Sequence, residues 1–271
     1  MHRFGLTATV FIVATSVANA QSPSLAIPQS DAVATIRSQD QHRPSITLQS
    51  NSLYMSSFES SSRLYIVNPT NGSATLVGTM GVQCTDLAFS NSSLYGISFT
   101  RFFAVNPTNG VITGARNHGF TDLNALVAAG SATPNLFYAT GYLDNQGHGA
   151  NFVRIDSATG IATQIGRLGS GLTSAGDLTF LSGVLYASVN KPGSTTTWLA
   201  RIDTKTGLAT LVGDTRFRNV YGLTARNGVL LGATSDGKLL QIDPAHGAGT
   251  LVGSNGISQG GLATSATVFG H

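Results

Sequence analysis

Residues 64–78 read LYIVNPTNGSATLVG. The pattern returns as FFAVNPTNGVITGA at 102–115, FVRIDSATGIATQIG at 152–166, LARIDTKTGLATLVG at 199–213 and LLQIDPAHGAGTLVG at 239–253. The five segments align without gaps on Gly72, Gly110, Gly160, Gly207 and Gly247, at spacings of 38, 50, 47 and 40 residues. A period of this length indicates a repeat architecture and is weighed before any single element. In each unit, alternating apolar residues run into Asp or Asn, then small or polar residues and Gly, then a second β-rich run. That is a hairpin, with its glycine placed to supply a positive φ in the turn.

A second element recurs between the hairpins: TDLAFSNSSLYG at 85–96, TDLNALVAAG at 121–130 with NLFYA at 135–139, GDLTFLSGVLYAS at 176–188 and YGLTARNGVLLGA at 221–233. Each reads as two short strands joined by a turn. Four strands per period, with turn signals every 8 to 12 residues, point to propeller blades rather than a sandwich. We letter the strands a (as in DLAF), b (LYG), c (LYIV) and d (ATLVG). At the ends, LAIPQSDAVATI (25–36) resembles strands c and d, with Val33 at the turn position, and GLATSATVFG (261–270) resembles strands a and b. The expected fold is all-β: a single propeller of four-stranded blades, preferably six, one of them closed by strands from both termini. Closure removes exposed strand edges. A five-bladed ring is the alternative.

Composition agrees with this reading. Only 10% of the 271 residues are charged, against roughly 25% in an average domain. One glutamate and three lysines leave little to support long surface helices. A hydrophobic share of 41% with a net charge of +3 excludes a disordered polyelectrolyte. The 32 glycines have no triplet period, which excludes collagen. His2 and Arg3, an apolar run, and Ala18-Asn19-Ala20 before Gln21 have the layout of a secretory signal peptide. Residues 1–20 are therefore expected to be a leader and 21–271 the propeller, secreted or periplasmic, with no membrane span after cleavage and as a monomer. No basic stripe suggests nucleic acid. Cys84, the single cysteine, reads as a small buried hydrophobe with no disulfide partner.

Repeats of the form LYxIDPxTGxATLVG followed by DLAFxxxGxLYG resemble those of secreted bacterial β-propellers related to the YVTN and NHL repeat groups. The resemblance covers nearly the whole chain after the leader. It implies an architecture and leaves activity open, because such propellers include binding scaffolds, lyases and lactonases.

In this strand order the b–c and d–a connections share one face, and here they vary in length, so binding residues are expected among them. Candidates are Arg101, Tyr142, Asp144, His148, Trp198, Arg216, Arg218 and Tyr221, types suited to an extracellular glycan or protein partner. Asp86, Asp122 and Asp177 open strand a in three units, nearest the central channel. Converging carboxylates can ligate Ca²⁺; the bland alternative is that each accepts backbone N–H groups of the adjacent blade. His118, His42 and Asp122 are the candidates for acid–base catalysis in a lyase or hydrolase. The sequence lacks the G-x-S-x-G, H-E-x-x-H and P-loop motifs and a sialidase-type Asp box. The leading expectation is a binding module; an enzyme with a His/Asp site is the alternative.

Overall fold

The computed structural model describes residues 52–144 and 147–264. The c–d hairpins form as expected, and the same turn is built five times. Asn68, Asn106, Asp156, Asp203 and Asp243 each accept, through side-chain Oδ1, the N–H two residues on, at 2.7–2.9 Å. Each also accepts, through its backbone carbonyl, the N–H of the turn glycine. Those glycines have φ between 74° and 82°, the left-handed region that favours glycine.

The first three strands are β1 (Leu53–Ser57), β2 (Arg63–Val67) and β3 (Ala74–Thr79). The second blade is β4 (Asp86–Ser90), β5 (Ser93–Ile97), β6 (Arg101–Val105) and β7 (Ile112–Asn117), and the third β8 (Leu123–Ala128), β9 (Leu136–Gly141), β10 (Asn151–Asp156) and β11 (Ala162–Arg167). The fourth is β12 (Thr173–Leu181), β13 (Val184–Asn190), β14 (Thr197–Ile202) and β15 (Ala209–Asp214). The fifth is β16 (Val220–Arg226), β17 (Val229–Thr234), β18 (Lys238–Ile242) and β19 (Gly249–Ser254), and the chain ends its described part in β20 (Gln259–Thr264).

Among the described residues these strands make five antiparallel four-stranded sheets. The protein is an all-β propeller, and five blades replace the preferred six. The reason is the closure. β20 pairs with β1, Met55 opposite Leu262, so the blade ordered β20-β1-β2-β3 takes its strand a from the end of the chain and strands b, c and d from the beginning. The C-terminal strand therefore completes the first blade rather than starting another. Residues 25–36 and the leader at 1–20 lie outside the described residues.

The core sits between blades. Five apolar clusters each draw on two adjacent blades, including Leu53, Met55 and Tyr65 of the first with Leu231 and Leu239 of the fifth. Inner strands are buried and outer strands exposed: four of the five residues of β4 are buried, and five of the six in β7 are exposed. The second glycine of the repeat, last in ATLVG, is explained by this packing. At Gly78, Gly166, Gly213 and Gly253 an added Cβ would run into the backbone carbonyl of Asn109, Thr206, His246 and Asn71, respectively, each in the c–d turn of the next blade. In the second blade Arg116 holds the place of that glycine, opposite Phe102, and its guanidinium donates to the carbonyl of Ala158.

Gly253 meets Asn71 across the ring closure, so Gly253→Ala strains the contact between the last blade and the first. A loss of about 1–3 kcal/mol is expected, as for other overpacked sites, measured by chemical denaturation.

Candidate functional site

The five inner strands present their free edges to the axis, where backbone N–H groups have no strand to pair with. Strand register identifies the equivalent residues: Leu87, Leu126, Leu178, Leu223 and Leu262. The amides of all five donate to only two carboxylates. Asp86 accepts Leu87 N–H on Oδ1 at 2.7 Å and Leu126 N–H on Oδ2 at 2.6 Å. Asp177 accepts Leu178 N–H on Oδ1 at 2.6 Å, and Leu223 and Leu262 N–H on Oδ2 at 2.5 and 3.1 Å.

Both aspartates are fully buried and hydrogen-bonded to each other. Burial pushes both carboxyls well above the usual range, and the neighbouring Asp177 charge raises Asp86 further. Two adjacent carboxylates cannot both ionise in such a site and share one proton. Asp177, with three backbone donors against two for Asp86, is the better placed of the two to hold a negative charge, and the two titrate as a pair.

Asp122 does not join them. β8 carries a register shift between Leu123 and Ala125, so Ala125 occupies the place of Asp86 and Asp177. The side chain of Asp122 accepts Leu143 N–H at 3.4 Å, and burial raises its pKa. The expected trio of carboxylates is thus a pair, with its oxygens engaged by backbone amides. That donor set does not fit Ca²⁺, which takes six to eight oxygen ligands. Among the described residues no three His, Cys, Asp or Glu side chains cluster as a metal site.

One step along each inner strand from this layer, toward the face of the b–c and d–a connections, stand Thr85, Asn124, Gly176, Tyr221 and Gly260. All five line a cavity of about 380 Å³. Its rim is aromatic. Phe58 and Tyr221 pair with ring centroids 6.0 Å apart, and Phe99 and Tyr142 at 5.1 Å; the four rings come from four different blades. Ser174, Asn190 and Asn219 add polar groups, and among the described residues no Asp, Glu, Lys, Arg or His lines the cavity. Among the described residues four buried side-chain polar atoms lack a hydrogen-bond partner, and two of them, Asn124 Oδ1 and Ser174 Oγ, belong to this cavity. Their residues are 8% and 1% exposed. Leaving such an atom unpaired costs about 1–3 kcal/mol; both atoms are closed off from solvent, so neither faces the open space of the cavity. On the other side of the carboxylate layer the axis opens into a separate space of about 570 Å³, lined mainly by the leucines and neighbouring Ala, Val and Phe residues.

Of the residues singled out in the sequence, Tyr142 and Tyr221 reach the cavity and the others do not line it. Arg101 begins β6 and borders a shallower hollow with Gln83 and Thr100. Asp144 accepts His148 N–H at 3.0 Å within the long b–c loop. The Trp198 indole donates to Ser194 Oγ at 3.0 Å and lies under Lys191, whose Nζ is 4.0 Å from the ring centre. Arg216 and Arg218 are exposed in the connection to β16. His118 is fully buried. Its Nδ1 accepts Phe120 N–H and its Nε2 donates to the Ser98 carbonyl, each at 3.2 Å, and burial lowers its pKa, keeping the ring neutral. His42 lies outside the described residues. Cys84 is buried, and burial pushes its thiol up to about 12. Sequence reasoning missed Phe58, Phe99, Asn124 and Ser174; the aromatics Phe58 and Phe99 in the b–c loops of the first two blades were the available signal.

The class is thereby defined: a five-bladed β-propeller with a neutral, aromatic-rimmed axial cavity. A family model described as "Repeat of unknown function (DUF6923)" matches residues 123–270, and the chain belongs to this family. No curated protein matches. Among solved structures, a chain of a nidogen/laminin complex is 10% identical with a TM-score of 0.52, covering 80% of this chain and 100% of that one, a likeness of fold. The Dos1 propeller is 13% identical with a TM-score of 0.42, over 76% of this chain and 56% of that one. Hydrazine synthase of Kuenenia stuttgartiensis is 13% identical at the same score, over 70% and 62%.

The acid pair sets a pH dependence. Its folded-state pKa is raised above the unfolded value, so its contribution to stability is complete below about pH 4 and is lost as pH rises through the folded value. Unfolding free energy should fall across that window by at most about 1.4 kcal/mol per pH unit per proton. Asp86→Asn keeps a donor toward Asp177 but gives up one acceptor. It should be less stable than the parent near pH 4 and show a flatter profile, read from denaturant melts between pH 4 and 9. Melting curves with and without EDTA should superimpose; a chelator-sensitive melt would return a metal to the carboxylates.

Proposed function

We propose that this chain is a secreted binding module that holds a glycan at the axial cavity, on the face of the b–c and d–a connections. The observation that carries this reading is the cavity wall itself: two aromatic pairs above a neutral floor of amide and hydroxyl groups. Aromatic rings offer flat apolar faces with a negative centre, suited to the C–H faces of a sugar ring. Asn, Ser and Thr both donate and accept, as hydroxyl groups do. The volume falls within the range of small-ligand sites, about 300–1,000 Å³. The titratable groups nearest the axis, Asp86 and Asp177, are committed to backbone amides, and His118 is locked between two backbone groups. This favours recognition over acid–base chemistry. Export through the leader at residues 1–20 would place the module where extracellular glycans are met.

A glycan array probed with the propeller at micromolar concentration should show a coherent set of neutral glycans. Tyr142→Ala combined with Tyr221→Ala should lose that signal by at least tenfold. A blank array, or binding unchanged in the double variant, would overturn the assignment.

A further inference from the structure

Resting on the reading of the axial cavity as a glycan site, we infer that it accepts the terminal residue of a neutral glycan, inserted end-on along the propeller axis, and rejects internal chain segments and acidic sugars. Three features of the cavity point to this.

The cavity is blind. Its floor is the layer of Asp86, Ala125, Asp177, Gly222 and Gly261, in which both carboxyl groups are fully buried and the five strands are drawn together. At Gly261 an added Cβ would run into Asp86, so the strands touch there with no passage between them. The apolar space beyond is separate. A ligand therefore enters and leaves by one mouth, and a chain running through the site has no exit.

The wall is polar and uncharged. Thr85, Asn124, Asn190 and Asn219 are among the residues that line it, and amide and hydroxyl groups both donate and accept. A sugar hydroxyl at the end of a chain supplies a donor and an acceptor together. The aromatic pairs are nearer the surface, where Phe58 and Tyr142 are 37% and 40% exposed, and can flank the body of the ring.

Charge excludes the acidic sugars. Among the described residues no Lys or Arg lines the cavity, so a uronate or sialate carboxylate would be desolvated without a counter-ion.

The test uses the propeller with methyl glycosides of glucose, galactose, mannose, xylose and N-acetylglucosamine, and glucuronic and sialic acids as acidic probes, followed by calorimetry or ligand-observed NMR. At least one neutral glycoside should bind, and the acidic probes should bind at least tenfold more weakly. A soluble neutral polysaccharide carrying that sugar, cut with an endo-acting hydrolase, should gain binding sites per gram in proportion to the ends created. Sites per gram that do not change on cutting would mean recognition of internal segments and would overturn this inference while leaving glycan binding intact. Equal affinity for acidic probes would also overturn it. Binding of none of the neutral probes would remove both this inference and the glycan reading.

Discussion

Five inner strands meet at the axis with one backbone edge each unpaired, and two carboxylates satisfy all five. Asp86 takes the amides of the second and third blades, and Asp177 those of the fourth, fifth and first. A propeller can leave such edges to water in an open channel. Here the strands approach too closely for that: at Gly176 and Gly261 even a methyl group would collide with Tyr221 and Asp86. Five amides buried without acceptors would cost several kcal/mol in total, which the carboxylates offset. Retaining a proton between them is the cost of placing two acids in one dry layer. The interaction also spans the closure, since Leu262 lies on β20 and the other four amides on strands that precede it.

That geometry explains what the sequence disclosed and what it concealed. The repeated hairpin was legible because its causes are local: an Asx side chain capping its own turn and a glycine at positive φ. The final glycine of ATLVG was equally visible, but its reason, the carbonyl of the next blade, is a contact between repeats. The five hairpins already gave the blade number. The sixth blade arose from matching weak terminal segments to each other, whereas β20 pairs with β1, more than two hundred residues distant. Pairing across a closure leaves no local pattern to read. Backbone capping by strand-a aspartates was foreseeable and was weighed, and it is what Asp86 and Asp177 do.

Asp122 shows the limit of aligning by residue type. TDL at 121–123 looks like TDL at 85–87, yet the leucine equivalent to Leu87 is Leu126, three residues further on, with a bulge at Asn124 between the paired Leu123 and Ala125. That bulged residue is the one that joins the cavity wall. An apparent match therefore hid both a lost carboxylate and a gained amide. A similar bias favoured rim arginines as binding residues. In a chain that is 10% charged they stand out, but they are solvated or engaged in loops, while the cavity is built from rings and neutral polar groups.

The cavity and the acid layer are successive steps of the same five strands, so the shape of the cavity and ring closure are mechanically joined. Thr85 precedes Asp86, Gly176 precedes Asp177 and Gly260 precedes Gly261. The positions of the cavity floor are fixed by the amide–carboxylate bonds one residue below it. Pre-set floor groups lose little freedom when a ligand arrives, which favours binding. Any change that loosens the pair, by substitution or by loss of its proton, also displaces the residues that would contact the ligand. The most buried charge in this weakly charged protein thus shapes a site from which charge itself is absent.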